Sequence, residues 1–163
     1  GTAPPKGPGG TAGPLFGQPV SWETFEAHRL WLRRSLENEF EGADLPETFD
    51  QLLTQATWER LMLLEEAGRS GVRIADRELS DTIHRISAFQ RDGRFSPELY
   101  YTFLHATGRS PQAFEEQLRN DLRIEKLLSP VKAEGRIEEW LKALRVRAKL
   151  EDDTTGVPGD ASR

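Results

Sequence analysis

Phe89 to Leu128 read FQRDGRFSPELYYTFLHATGRSPQAFEEQLRNDLRIEKLL, and this stretch decides the fold because it is dense in signals that start and stop helices. Asp92-Gly93 is a turn dipeptide between two phenylalanines, Phe89 and Phe95. Ser96-Pro97 is an N-cap followed by proline at the first helical position, where its missing N–H costs nothing. A short helix carrying Leu99, Phe103 and Leu104 follows, and Gly108 supplies a residue able to take φ > 0 at its end. Ser110-Pro111 repeats the start for a longer helix with Phe114, Leu118, Leu122 and Leu128. The stretch reads as a turn, a helix, a tight corner and a second helix.

Upstream, Ser21 is a plausible N-cap, and Trp22, Phe25, Leu32, Leu36 and Phe40 fall on one stripe at helical period. Leu30 and Trp31 fall well off that stripe, so they pack on a second neighbour or border an exposed patch. Leu45-Pro46 is expected to open the next helix, which runs to about Ser70 and stops at Gly71. Its Phe49, Leu52, Leu53, Ala56, Leu63, Leu64 and Ala67 form one stripe, with Trp58, Leu61 and Met62 opposite. A helix apolar on two sides is normally buried on two sides, so this one reads as central. Val72 to Ala75 is an extended link, and Asp76 is expected to cap a helix with Leu79, Ile83 and Ile86.

After Ser129-Pro130, a connection through Gly135 leads to a last helix. There Ile137, Trp140, Leu141, Leu144 and Ala148 make a one-sided stripe that must dock on something. Gly1 to Gly17, with four prolines and six glycines, is expected to be a flexible tether. Residues 18–150 form the helical domain, and 151–163 a tail without apolar period. No strand is expected. The fold class is all-α with about six helices.

Composition bounds the function. Hydrophobic residues are 36% and charged residues 30% of 163, with a net charge of −5. Basic residues are interleaved with acidic ones, which argues against nucleic acid as the main partner. Cysteine is absent, so disulfides and thiolate chemistry are excluded. His28, His84 and His105 lie on three separate helices without metal-ligand spacing, and each is expected at the surface or boundary; no metal and no cofactor are expected. Carboxylate pairs such as Glu115-Glu116 read as solvated helix faces. No catalytic residue is assigned. Since Met62 is the only methionine, N-terminal residues are expected to be missing, and a signal peptide or a membrane anchor would suit the gap.

Phe89, Gln90, Asp92, Gly93, Phe95 and Tyr100, then Leu104, Gly108, Ser110, Pro111, Phe114, Glu115, Leu118, Arg119, Asp121 and Leu122, make a pattern that resembles the N-terminal chaperone region of the SurA and PpiD type of periplasmic folding factors. Leu63 to Gly71 and Val72 to Leu79 resemble the preceding helix and corner of that family. The resemblance implies a SurA N-terminal-like body whose C-terminal helix docks back on the N-terminal helices. It also implies a periplasmic chaperone of the cell envelope that holds unfolded or nascent polypeptides in an apolar groove. Such chaperones commonly insert a parvulin prolyl-isomerase domain between the helix ending near Val131 and a terminal helix, here Trp140, Leu141 and Leu144. Only 132–139 separate the two, so no isomerase activity is expected. Leu30, Trp31 and Tyr101 are the residues expected to border a peptide-binding groove. The competing expectations are a scaffold in which off-stripe aromatics form a homodimer, and the non-catalytic part of a prolyl isomerase.

Overall fold

The structure, a computed structural model, describes residues 10–40 and 44–150. Its elements in order are β1 (Thr11–Leu15), β2 (Gln18–Ser21), α1 (Trp22–Glu39), α2 (Phe49–Arg69), α3 (Asp76–Arg85), a 3-10 turn (Ser87–Phe89), β3 (Gln90–Arg91), β4 (Arg94–Phe95), α4 (Pro97–Ala106), α5 (Pro111–Ala133) and α6 (Ile137–Ala148). Six helices and two short hairpins make up the described residues, so the protein is mostly α as the sequence implies. The chain forms two compact units. One comprises the residues up to Leu63 with those from Val131 onward, and the other Leu64–Pro130.

In the first unit, residues 10–17 are not the tether that their composition suggests. Thr11–Leu15 pairs antiparallel with Gln18–Ser21, through a two-residue turn in which Phe16 (φ 52) and Gly17 (φ 74) both take the left-handed region. A two-stranded ribbon is marginal by itself, and this one is fixed by what it touches. Leu15 is buried. Gly13 lies so close to Trp58 that a Cβ there would come within 3.3 Å of the indole. The Phe16 amide donates to the Ala148 carbonyl at 3.0 Å, and the Trp22 amide to the Gly10 carbonyl at 2.7 Å. Residues 1–9 and the expected tail at 151–163 lie outside the described residues.

Ser21 caps α1 as read, its hydroxyl accepting from the Thr24 amide at 3.1 Å. Phe25 is buried, while Trp22, Leu32, Leu36 and Phe40 are half-buried. Helix α2 begins at Phe49 rather than at Leu45-Pro46, because Pro46 instead accepts from the Phe49 amide at 3.0 Å in a turn. Along α2, Leu53, Thr57, Arg60, Leu61, Met62 and Leu63 are buried. Four consecutive buried residues, Arg60 to Leu63, cannot lie on one helix face, which bears out the two-sided reading.

His28 departs from the surface or boundary position expected of it. It is buried, and its Nδ1 accepts from Arg60 Nε at 3.1 Å. Burial, and secondarily the Arg60 charge, push its pKa down to about 4. The last helix docks in this unit as its stripe requires: Leu144 and Ala148 are buried, and Arg145 Nη2 meets Glu59 Oε1 at 2.7 Å.

In the second unit, α3 is capped differently from expectation. Ala75 is the N-cap, and its amide donates to the Glu78 carboxylate at 2.8 Å, while Asp76 is the first helical residue. The Ala75 bond and then Lys126 hold the Glu78 carboxyl below its ordinary pKa. Asp92 (φ 53) and Gly93 (φ 76) join β3 to β4 in the turn that their dipeptide calls for. Gln90 Nε2 donates to the His84 carbonyl at 2.8 Å, fastening that hairpin to the end of α3. Ser96 and Ser110 cap α4 and α5 as read. Helix α5 runs on past Pro130 to Ala133. A proline in a last turn removes only one N–H from the ladder, a cost that a helix already running out can carry.

Candidate functional site

Phe89 is the hub of the second unit, 1% exposed. Its ring meets Tyr100 at 5.2 Å, Phe103 at 5.1 Å and Phe114 at 6.0 Å, all edge to face. That geometry favours contact between the positive edge of one ring and the negative face of the next. The turn, α4 and α5 are thereby locked together by the residues of the quoted stretch.

On this frame lies a groove of about 410 Å³. Helix α3 contributes Leu79 and Ile83; Phe95 comes from β4, Tyr100 and Tyr101 from α4. These make an apolar, largely aromatic wall. Tyr100 lies 6.0 Å from Phe95 and 5.2 Å from Tyr101, with rings tilted at 53° and 59°, and His84 stacks on Phe95 at 4.3 Å. Helix α5 adds the polar side through Glu115 and Arg119. The Tyr100 hydroxyl donates to Glu115 Oε1 at 2.9 Å. Burial first, and that bond second, raise the Tyr100 pKa, so the phenol keeps its proton. A concave apolar wall with a few placed polar groups is the usual form of a binding site.

Arg119, Arg123 and Lys126 succeed one another along α5 and turn to the link before α3. Arg119 donates through Nη1 to the Ile74 carbonyl and through Nη2 to Asp76 at 2.6 Å. Arg123 donates to the Val72 carbonyl at 3.4 Å, and Lys126 to the Arg73 carbonyl at 3.1 Å and to Glu78 at 3.2 Å. The carbonyls of Val72, Arg73 and Ile74 in this link are thus satisfied by cationic side chains.

Of the three residues expected at a groove, Tyr101 lines this one and is 59% exposed. Leu30 and Trp31 lie on α1 in the first unit; Leu30 is 49% exposed, while Trp31 is half-buried and has contacts of its own. The sequence placed Leu79 and Ile83 on a helix without assigning them to a groove, and read Glu115 as part of a solvated helix face. A signal for part of the set was present, since Phe95, Tyr100, Glu115 and Arg119 all stand in the quoted pattern. Among the described residues no group of histidines and carboxylates could hold a metal ion. No described helix is long and apolar enough to cross a membrane.

The second unit is thus a helical body built on an aromatic turn, with a groove beside it. The SurA-like N-terminal domain family matches residues 17–128, more than half of the chain, and the protein belongs to that family. Comparison with curated proteins and with solved structures gives no match.

Proposed function

We propose that this chain is a chaperone module of the bacterial periplasm, holding unfolded or partly folded envelope polypeptides in its apolar groove, without prolyl-isomerase activity. The observation that carries the reading is the groove of the second unit, whose wall of Leu79, Ile83, Phe95, Tyr100 and Tyr101 lies within the segment that defines the family. Apolar burial is worth roughly 25 cal/mol per Å² and has no direction, so such a wall holds extended chains with little sequence demand. Leu30 and Trp31 are proposed as a second set of client contacts on α1. The test is suppression of aggregation of a denatured protein by the pure chain, beside a proline-limited refolding assay. The expected result is suppression with no acceleration of refolding. Absence of suppression would sink the chaperone reading, and acceleration would sink the non-catalytic one.

A second reading, a dimerisation scaffold, is favoured by the exposure of Leu30, Leu45, Leu52 and Val146 in the first unit. Light scattering across a concentration series separates it: a dimer without aggregation suppression supports the scaffold.

A further inference from the structure

The charges around the groove do not cancel evenly. Arg119 is the cation on its lining, and both of its terminal nitrogens are engaged, on Asp76 and on the Ile74 carbonyl. Glu115 stands one helical turn before Arg119, yet its bond is to the Tyr100 hydroxyl, a neutral donor. A neutral hydrogen bond leaves the carboxylate charge in place, and Oε1 alone takes it, so Oε2 can accept from a guest. The anion therefore sits 2.9 Å from the phenol oxygen of an aromatic wall.

That wall has the complementary shape. Tyr100 and Tyr101 are 5.2 Å apart and inclined by 59°, and Phe95 lies 6.0 Å from Tyr100. Tyr101 is mostly open to solvent, so its face is free to receive a guest. Aromatic faces are electronegative and attract ammonium and guanidinium groups. A carboxylate beside angled rings therefore favours a cation and repels an anion, and the net charge of −5 favours the approach of the same kind of guest.

Resting on the chaperone reading, we infer that this groove selects a basic side chain, lysine or arginine, of the polypeptide it holds. The apolar stem of that side chain lies along Leu79 and Ile83, and its charged head sits between Tyr101 and Glu115. Long basic side chains suit this division, because their methylenes cover apolar surface while the head keeps a polar partner. Segments in which a basic residue adjoins apolar ones are then preferred over purely apolar or acidic segments.

The experiment uses the full chain and short fluorescent peptides identical but for one position, which carries lysine, norleucine or glutamate. Norleucine keeps the apolar stem and lacks the charge. Anisotropy titrations are expected to show the lysine peptide binding about tenfold more tightly than the norleucine one, the size of a partly desolvated cation–π contact, with the glutamate peptide weakest. Glu115→Gln, which keeps an acceptor for Tyr100, is expected to bring the lysine-to-norleucine ratio close to one. Tyr101→Ser, at an exposed position, is expected to lower the ratio as well, with circular dichroism melts checking that both variants fold. Equal affinity for the two peptides overturns the inference while leaving the chaperone reading standing. So does a lysine preference that survives both substitutions, since the cation then binds elsewhere. If neither peptide binds, the chaperone reading fails and the inference with it.

Discussion

The amide of Phe16 donates to the carbonyl of Ala148 at 3.0 Å, which joins the tip of the first hairpin to the last turn of α6. Orphan carbonyls at a helix end need partners, and here a residue in the left-handed region supplies one. The described ends of the first unit are thus fastened to one another by main chain.

Leu144 of α6 is fully buried. Leu144→Ala is expected to destabilise the protein by about 2–5 kcal/mol, read as a lower urea midpoint at unchanged slope. A shift of less than about 0.5 kcal/mol, the size of an ordinary surface change, would mean that α6 is an independent arm.

Phe89→Ala removes the ring that meets Tyr100, Phe103 and Phe114. The expected loss is about 3–5 kcal/mol, together with a flattened near-ultraviolet dichroism of the tyrosines. Retention of the native tyrosine signal in a stable variant would show that the groove wall does not depend on this hub.

Trp31 is half-buried, so Trp31→Ser is expected to cost less than the roughly 3–5 kcal/mol of a fully buried large-to-small change. If α1 contributes client contacts, the variant holds its fold and binds unfolded chains more weakly. Thermal melts and a peptide titration on the one variant decide, and a collapse in stability would remove Trp31 from the client surface.

His28 titrates at about 4 in the fold, below its ordinary value near 6.5. The unfolded chain therefore binds more protons between those values, and stability rises with pH across that window. The protein is expected to lose melting temperature as the pH falls below about 6.5, with the slope easing near 4. In His28→Gln, which retains an acceptor for Arg60, that part of the slope should vanish. Identical pH profiles for the two proteins would contradict the burial of an uncharged His28.

Much of the helical plan was legible because it is written locally. Ser21, Ser96-Pro97, Asp92-Gly93, Gly108 and Ser110-Pro111 each specify a cap or turn with near neighbours only. The β1 to β2 hairpin was not legible. Its proline and glycine content reads as a tether, and what makes it a ribbon is Trp58 against Gly13 and Ala148 against Phe16, both remote in sequence. His28 was misplaced for the same reason, since its partner Arg60 lies on another helix. The aromatic half of the groove could be seen in the motif. Glu115 stands in the same motif, but its partner was not legible, because Glu115 and Arg119 look like an ordinary i,i+4 pair until the structure shows each taken by a different partner.

The row of cations on α5 has a mechanical meaning. Helix α3, one wall of the groove, hangs at its N-terminus from long, solvent-reaching side chains that grip the carbonyls of Val72, Arg73 and Ile74. Each such bond has a charged donor, is worth about 1.5–3 kcal/mol net, and can be exchanged for a bond to water. The N-terminal end of the wall is therefore held by exchangeable polar tethers, whereas Leu79 and Ile83 fix it further along by burial.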